Sequence, residues 1–339
     1  VDASATLGIR RLAGVVEYVP GDLTITAWAG TSLDELDQTV AQQDQMIALD
    51  PFGTRRGTLG ATVATASYGP LAASFGTPRD VLLGVQCVTG DAQVVQGGAR
   101  VVKHVAGFDL VRLLTGAWGT LGVLTMLTLR LRARAPVDAT YALAPGSSLR
   151  EWLTVYRAAN VSPLATELIA GATASSLGLG PETVALVRVS GNDEAVSAQE
   201  RVLRDLGAVR EVPGRVWAAF AEQDPVGPVA ALRISHRATH IADVWERAMF
   251  LARDLPNARV HATLERGVAR IVLPTIAEEE LLARLSQPAP VTCKHVYEVL
   301  PAHLWSRLAP SSSADALSRR IRLAFDPEQR LNPGIMGEA

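Results

Sequence analysis

The run from Asp50 to Pro78 constrains the fold of this chain more than any other segment. Glycine, alanine, threonine and serine dominate it, and Pro51 and Pro70 interrupt it. A run of this kind offers few large side chains for a core, while its glycines let backbone amides approach a ligand without a clash with Cβ. Two interpretations are open at this stage. The run is a flexible linker, or it is backbone built to approach a pyrophosphate or a flat polar ring closely.

Regular elements are predicted on both sides of this run. Alternating β-branched residues over 12–19 and 23–27 predict two strands around a turn at Pro20–Asp22. Ser32, followed by Glu35 three residues later, is typical of a capping box, and we expect a helix there. Further strands are predicted over 81–88, 92–96 and within 119–131.

A boundary is predicted at 133–136, where the order of elements changes. Strand, helix, strand, strand is the predicted order over 140–190, and a similar order recurs over 229–273. A hairpin is expected around Arg266–Gly267. The repeated order predicts one antiparallel sheet with helices on one face.

The composition is that of a globular protein, with 48% hydrophobic and 19% charged residues among 339. A net charge of −2 gives no electrostatic case for nucleic acid. Cys87 and Cys293 lie far apart in sequence, which argues against a disulfide framework and favours a reducing cytoplasm. No apolar run reaches the roughly 18 residues of a membrane span. We therefore expect a cytoplasmic protein, either free or held at the inner membrane surface through its partners.

Several short motifs follow one another along the chain in a characteristic order. They are Asp50–Pro51, Gly57–Gly60, Ser67–Gly69, Phe75–Val85, Val101–Leu110, Leu114–Leu124 and Phe325–Gly334. In this order they resemble the FAD-binding domain of the vanillyl-alcohol oxidase and p-cresol methylhydroxylase (PCMH) superfamily. The most specific part is Lys103–Leu110 followed by Gly116–Val123. Within the superfamily, the chain is similar to the GlcE-like FAD-binding subunits of glycolate dehydrogenase (glycolate oxidase).

The resemblance implies a flavin site built from backbone amides, small side chains and hydroxyls. The positions that would line noncovalently bound FAD are Pro51, Thr58, Leu59, Gly60, Ala61, Thr62, Ala64, Ser67, Gly69, Gly119, Gly122 and Val123. The last three would pass near the adenine and ribose. Arg79 and Asp80 are expected to brace the fold by a local ion pair rather than to contact FAD.

The resemblance also implies an α+β fold with a PCMH-type FAD-binding domain and a ferredoxin-like α+β cap domain. Residues 1–135 would form the FAD-binding domain, mainly its second subdomain, and residues 136–305 a cap or substrate domain. Residues 306–339 would return to the FAD-binding domain. The superfamily's glycine-rich pyrophosphate loop has no counterpart before Leu12, so the N-terminal subdomain is expected to be incomplete.

The activity implied by the resemblance is that of an FAD-dependent oxidoreductase in a 2-hydroxy-acid (glycolate) dehydrogenase complex. The flavin would take a hydride from a small 2-hydroxy acid, or relay electrons from a catalytic flavoprotein sister subunit toward an iron–sulfur subunit. The histidine-rich metal motif of D-lactate dehydrogenase relatives is missing here, which favours the relay. Two alternatives stay open: a degenerate flavin fold that serves assembly without catalysis, and a stand-alone FAD-linked oxidase of another substrate.

No catalytic residue is assigned from the sequence. Neither the nucleophile motif Gly-x-Ser-x-Gly nor the dinucleotide motif Gly-x-Gly-x-x-Gly occurs in the chain. His236 and His240 have the spacing of one helix face, but nothing nearby completes a metal site, and none is predicted. His261 and His295 fall on predicted strands, where either could face a domain interface.

Overall fold

The computed structural model describes residues 5–98, 109–146, 148–224, 230–274, 276–287, 292–308 and 315–335. The motif Val101–Leu110 lies outside the described residues except for its last two positions. The described chain divides into two compact units. The first comprises residues 1–134 with 305–339, and the second comprises residues 135–304.

The first unit is built around a five-stranded sheet. It begins with β1 (Val15–Val19), β2 (Thr24–Trp28), α1 (Leu33–Ala41) and β3 (Gln45–Met46). Three short helices follow, α2 (Leu59–Ala64), α3 (Ala72–Phe75) and α4 (Pro78–Val81). The last elements are β4 (Leu82–Val88), β5 (Val94–Gly98), α5 (Leu110–Leu114), β6 (Val123–Arg130) and β7 (Arg132–Ala133). The sheet order is β1-β2-β6-β4-β5 with every pair antiparallel, and β3 pairs with β7.

Local sequence signals explain the first helix. The Ser32 hydroxyl accepts a hydrogen bond from the Glu35 amide at 3.2 Å, so the predicted cap is present. Leu33, Leu36 and Val40 are fully buried, because their spacing puts them on one side of the helix. This side packs into the hydrophobic core of the first unit.

The small-residue run is folded rather than a linker. Leu59 and Val63, four positions apart on α2, are both fully buried in the core of the first unit. The linker interpretation of this run is therefore wrong. Two large aliphatic residues at helical spacing are enough to anchor six residues of helix.

Among its described residues, the second unit carries fourteen strands and α-helices in chain order. The first set is β8 (Val137–Leu143), α6 (Leu149–Ala158), β9 (Ala165–Ile169), α7 (Gly171–Ser176), β10 (Val184–Gly191), α8 (Asp193–Asp205) and β11 (Val209–Val212). The short α9 (Val216–Ala221) leads to β12 (Ala230–Ser235), α10 (Ile241–Leu251), β13 (Arg259–Thr263), β14 (Val268–Leu273), α11 (Glu278–Ser286) and β15 (Lys294–Val299). The chain then returns to the first unit with α12 (Trp305–Leu308) and α13 (Ala316–Phe325).

The eight strands of the second unit form one antiparallel sheet in the order β11-β8-β10-β9-β13-β14-β12-β15. Each half of this order is a βαββαβ unit whose fourth strand lies beside its first, which is the ferredoxin-like arrangement. The two halves join where β9 pairs with β13. The predicted α+β fold with a ferredoxin-like component is confirmed, with two such halves rather than one.

The two faces of this sheet differ in what they contact. Tyr156 of α6 bonds to Thr166 on β9, with their hydroxyl oxygens 2.6 Å apart. Successive strand residues point to opposite faces, so the next residue, Glu167, points away from α6. On that opposite face, Trp217 of α9 donates its indole N–H to Thr140 at 2.8 Å.

In the part of the chain that the structure describes, no helix is long and apolar enough to cross a membrane.

Candidate cofactor-binding site

Half of the predicted FAD-lining residues lie on helix α2 or at its cap, and we call the surface they form the flavin wall. Thr58 caps the helix, and its hydroxyl accepts from the Ala61 amide at 3.2 Å. The Thr62 hydroxyl donates a hydrogen bond to the Thr58 carbonyl at 3.1 Å. Because Leu59 and Val63 occupy the buried side, the opposite side carries only small residues, and Ala61 on it is exposed. A surface made of such residues allows a planar ring to approach closely.

The first amides of α2 bond within the protein. The Leu59 amide donates to the Thr31 carbonyl at 2.9 Å, and the Gly60 amide donates to the Ala29 carbonyl at 2.7 Å. These bonds tie the start of α2 to the residues that follow β2. The backbone donors expected to face FAD at these two positions are therefore used internally, which leaves the exposed side chains of α2 as the groups that can meet a ligand.

Several glycines of the predicted site are required by close approaches within the chain. A Cβ on Gly60 would lie 2.8 Å from the Ala29 carbonyl oxygen, and a Cβ on Gly69 would lie 2.0 Å from that of Asp50. The Asp50 carboxylate also accepts from the amides of Gly69, at 3.2 Å, and Leu71, at 2.8 Å. These glycines shape the wall through internal packing rather than through space kept for a ligand.

The twelve predicted site residues separate into two groups by burial. One group is buried and supports the wall, namely Pro51, Leu59, Gly60, Thr62, Gly69 and Gly122. The other group keeps exposed surface, namely Thr58, Ala61, Ala64, Ser67, Gly119 and Val123. The second group includes the side chains and backbone that a cofactor can reach directly.

A loop after α5 lies against the end of α2. The Gly116 amide donates to the Val63 carbonyl at 3.0 Å, and the Trp118 amide donates to the Ala64 carbonyl at 2.8 Å. Trp118 and Gly119 both adopt left-handed backbone conformations, with φ values of 53° and 71°. The two separate stretches of the predicted site, around Ala64 and around Gly119, are thus brought together.

The C-terminal motif holds this loop in place. Asn332 donates its side-chain amide to the Trp118 carbonyl at 2.7 Å. A Cβ on Gly119 would lie 2.8 Å from the same Asn332 nitrogen, so only glycine fits there without a shift. Asn332 and Asp50 were not among the predicted site residues, although both stand in motifs that carried the resemblance. Their contacts join positions too distant in sequence for the motifs to reveal.

Arg79 and Asp80 brace the fold by means other than the expected ion pair. The Asp80 carboxylate accepts from the Thr77 amide at 2.7 Å and from the Thr77 hydroxyl at 2.9 Å, which caps α4. Arg79 donates to the Thr115 carbonyl at 3.1 Å. Both side chains therefore serve local structure near the α5 loop.

The second unit contains a buried polar cluster that the sequence did not reveal. Glu167 on β9 is fully buried, and its carboxyl lies 2.8 Å from Nδ1 of His261 on β13. The Thr263 hydroxyl donates to the other oxygen of Glu167. Burial raises the pKa of Glu167 to about 8 and lowers the pKa of His261 to about 3, because desolvation disfavours the charged form of each group.

An ion network lies on the same face of the sheet. Arg270 on β14, which is opposite His261 in the register, bonds to both carboxylate oxygens of Asp224 at 2.7 and 2.6 Å. It also donates to Glu298 at 2.8 Å, and Arg233 on β12 pairs with the same glutamate at 2.6 Å. The network contains two cations and two anions, so it is neutral as a whole.

His236 and His240 lie close together just before α10. His240 precedes α10 and lies 3.0 Å from the Asp243 carboxylate, while the His236 and His240 rings are 4.4 Å apart. Among the described residues, no group of three or more His, Cys, Asp or Glu side chains is arranged to hold a metal ion.

Comparison with known proteins finds a family model that matches part of the first unit. A family model described as an FAD binding domain matches residues 2–98, which include α2 and the Asp50–Gly69 segment. Glycolate oxidase subunit GlcE of Escherichia coli is 32% identical over 220 residues, covering 64% of this chain and 58% of GlcE. A D-lactate dehydrogenase of Archaeoglobus fulgidus is 24% identical over 343 residues, covering 90% of this chain and 75% of that protein.

Solved structures share the fold. An alkyldihydroxyacetonephosphate synthase superimposes with a TM-score of 0.69 at 16% identity, covering 96% of this chain and 66% of that one. The resemblance drawn from the motifs is confirmed, and the family match indicates FAD as the cofactor. Residues 2–98 of this chain are similar to the FAD binding domain family.

Proposed function

We propose that this protein is the FAD-binding subunit of a 2-hydroxy-acid dehydrogenase complex of the glycolate dehydrogenase type. The observation that carries the proposal is the exposed, small-residue side of α2 inside the segment that matches the FAD binding domain model. Two relatives support the substrate class, because one is named a glycolate oxidase subunit and the other a D-lactate dehydrogenase. Both names refer to oxidation of a small 2-hydroxy acid.

The residues of the first unit fit a flavin in shape and in hydrogen-bonding groups. Ala61 offers an exposed methyl group, and the hydroxyls of Thr65 and Ser67, 2.7 Å apart, offer donors and acceptors. Gly119 and Val123 would meet the adenine and ribose. The buried residues behind them keep this surface rigid, which lowers the entropy lost on binding. When bound, FAD supplies the two-electron acceptor for oxidation of the substrate.

The proposal of a complex of several subunits is supported by the relative GlcE, which is named a glycolate oxidase subunit. We place the protein in the cytoplasm or at the inner membrane surface, beside a catalytic flavoprotein sister subunit and an iron–sulfur subunit that accepts the electrons. Residues 136–305 would serve as the cap or substrate domain in this assembly. Residues 1–135 and 306–339 would hold FAD.

Cofactor binding by the full-length protein tests the first part of the proposal. Ala61→Leu adds a bulky side chain to the exposed side of α2, and we expect it to abolish FAD binding because the ring no longer approaches. Ala324→Leu is the matched control, since Ala324 is also an exposed helical alanine of the same unit but lies on α13. Quenching of FAD fluorescence during titration measures both affinities. Equal FAD affinity of the two variants would show that α2 does not line the FAD site.

The flavin content of the purified wild-type protein separates the proposal from its main rival. A degenerate flavin fold kept for assembly would be colourless and would release no flavin on denaturation. The proposed subunit is yellow, and its flavin is bleached by glycolate or D-lactate when the partner subunits are present. Bleaching only by a different class of substrate would favour a stand-alone FAD-linked oxidase instead.

A further inference from the structure

Helix α2 ends in a turn that fixes the position of the Ser67 side chain. The Ala66 amide donates to the Val63 carbonyl at 3.1 Å, and the Ser67 amide donates to the Thr62 carbonyl at 3.0 Å. Ala66 has the left-handed backbone conformation, with a φ of 49°. This combination is a Schellman motif, which ends a helix with a defined reversal of the chain. Ser67 therefore follows the flavin wall on a hydrogen-bonded turn.

Two short contacts fix the direction of the hydrogen bonds at the end of α2. The Thr65 hydroxyl oxygen lies 2.7 Å from the Ala61 carbonyl oxygen and 2.7 Å from the Ser67 hydroxyl oxygen. Two oxygens approach each other this closely when a proton lies between them. Either hydroxyl alone could donate or accept, but a carbonyl only accepts, so Thr65 donates its single proton to Ala61. Ser67 must then donate its own proton to Thr65.

Ser67 is left with lone pairs, and no proton, to offer to a ligand. Its side chain is half-buried, and its hydroxyl contacts no other hydrogen-bonding group in the described part of the chain. A hydroxyl whose proton is already committed acts as an acceptor only, like a carbonyl. It therefore favours a ligand atom that carries a hydrogen and disfavours a ligand atom that has only lone pairs.

We propose that Ser67, held by Thr65, accepts a hydrogen bond from the N3–H group of the FAD isoalloxazine ring. This inference rests on the proposed function, and it names the part of FAD that meets the end of the flavin wall. The polar edge of the oxidised ring has a single N–H group, at N3, whereas its other nitrogens and its two carbonyl oxygens only accept. An acceptor-only serine can therefore bond to this edge at N3 alone. Ser67 is the binding residue, and Thr65 is a positioning residue that acts through it.

Titration of the full-length protein with FAD and with 3-methyl-FAD tests the contact, because a methyl group replaces the N3 hydrogen in the second ligand. The other hydrogen-bond donors of FAD, on its adenine and its sugar chain, are the same in both ligands. Ser67→Ala should weaken FAD binding about 3- to 10-fold, the effect of losing one hydrogen bond. It should not weaken the binding of 3-methyl-FAD. The wild type should therefore prefer FAD, and Ser67→Ala should lose that preference.

Variants of Thr65 test its positioning role. Thr65→Ser keeps the hydroxyl and should bind both flavins as the wild type does. Thr65→Val removes the acceptor of the Ser67 proton, so the Ser67 hydroxyl can rotate, and the preference for FAD should fall part of the way. Thr39→Val is the matched control, because the Thr39 hydroxyl also donates to a carbonyl four residues earlier, that of Glu35 on α1, at 2.8 Å. It should leave both affinities unchanged.

A signal from the wild-type complex keeps the proposal falsifiable if a variant fails to fold. FAD labelled with ¹⁵N at N3 reports by NMR on the hydrogen that this atom carries. In the complex, the N3–H signal should be shifted from its position in free FAD, and its exchange with water should be slower. An N3–H group that exchanges as fast as in free FAD would overturn the contact with Ser67.

Distinct results would overturn the contact and the proposed function. In folded Ser67→Ala, wild-type affinity for FAD, or an equal loss of affinity for FAD and 3-methyl-FAD, would overturn the contact alone, because the wild type still binds FAD. A wild-type protein that binds neither flavin would overturn the proposed function, and the contact with it.

Discussion

Removing the carboxylate of Asp326 should destabilise the first unit strongly. Asp326 follows α13 and is fully buried. Its two oxygens accept from the amides of Arg330, at 3.0 Å, and Leu331, at 2.7 Å. Gly90 packs directly against it, since a Cβ on Gly90 would lie 2.1 Å from an Asp326 oxygen. Asp326→Ala therefore removes a buried acceptor from two backbone amides.

The size of the effect follows from these two bonds. A hydrogen bond to a charged group contributes about 1.5 kcal/mol at the lower end of its range, so two give about 3 kcal/mol. For a unit of this size, that loss corresponds to a fall in Tm of about 6–12 °C. Thermal unfolding followed by circular dichroism measures the fall, and urea unfolding gives the free energy of unfolding independently.

Asp315→Ala is the control for this experiment. Asp315 also accepts from two backbone amides, those of Leu317 at 2.9 Å and Ser318 at 3.0 Å, but it caps α13 at an exposed position. Water replaces the lost acceptor there, so the fall in Tm should be clearly smaller. If Asp315→Ala and Asp326→Ala lower Tm equally, burial is not what makes the Asp326 contacts strong, and the reasoning fails.

Two further predictions concern the flavin wall and the buried pair of Glu167 and His261. Asn332→Ala should weaken FAD binding about 10-fold, because loss of one hydrogen bond of about 1.4 kcal/mol frees the Trp118 loop. Asn332→Asp keeps the size of the side chain but not the donor, and it should weaken binding similarly in the same fluorescence titration. Unchanged affinity would show that the loop does not contact FAD. For the pair, the pKa of Glu167 is raised from 4.5 to about 8 and that of His261 lowered from 6.5 to about 3. Between pH 4.5 and 6.5 the folded and unfolded chains hold the same number of protons on the pair. From pH 6.5 to 8 the folded chain holds one more proton than the unfolded chain, so the free energy of unfolding should fall as pH rises through this window. Glu167→Gln should lose this fall in urea unfolding measured across that window, and an identical pH dependence in the variant would contradict the raised pKa.

The secondary structure was predictable where one local signal dominated. The hairpin of β13 and β14 turns at the positions expected, with Gly267 in the left-handed conformation at φ 62°. The cap at Ser32 was likewise visible in the sequence. These features depend on residues within a few positions of one another, which is the range over which sequence patterns are informative.

The sites were predictable only in part, because they depend on contacts between distant segments. The glycines of the flavin motifs suggested room for a ligand, yet Gly60 faces Ala29 and Gly119 faces Asn332. The buried pair joins Glu167 to His261 across 94 positions of sequence. Sequence alone could not show this, because a shift of one residue in strand register would place the two side chains on opposite faces.

The junction between β9 and β13 has a consequence for the symmetry of the second unit. Each is the second strand of its own ferredoxin-like half, and equivalent antiparallel strands that pair with each other are related by an approximate two-fold axis. The junction therefore has the geometry of a homodimer interface contained within one chain. Leu168 and Ala262 are the middle pair of this three-pair ladder, so a two-fold axis there makes Glu167 and His261 equivalent positions of the two halves.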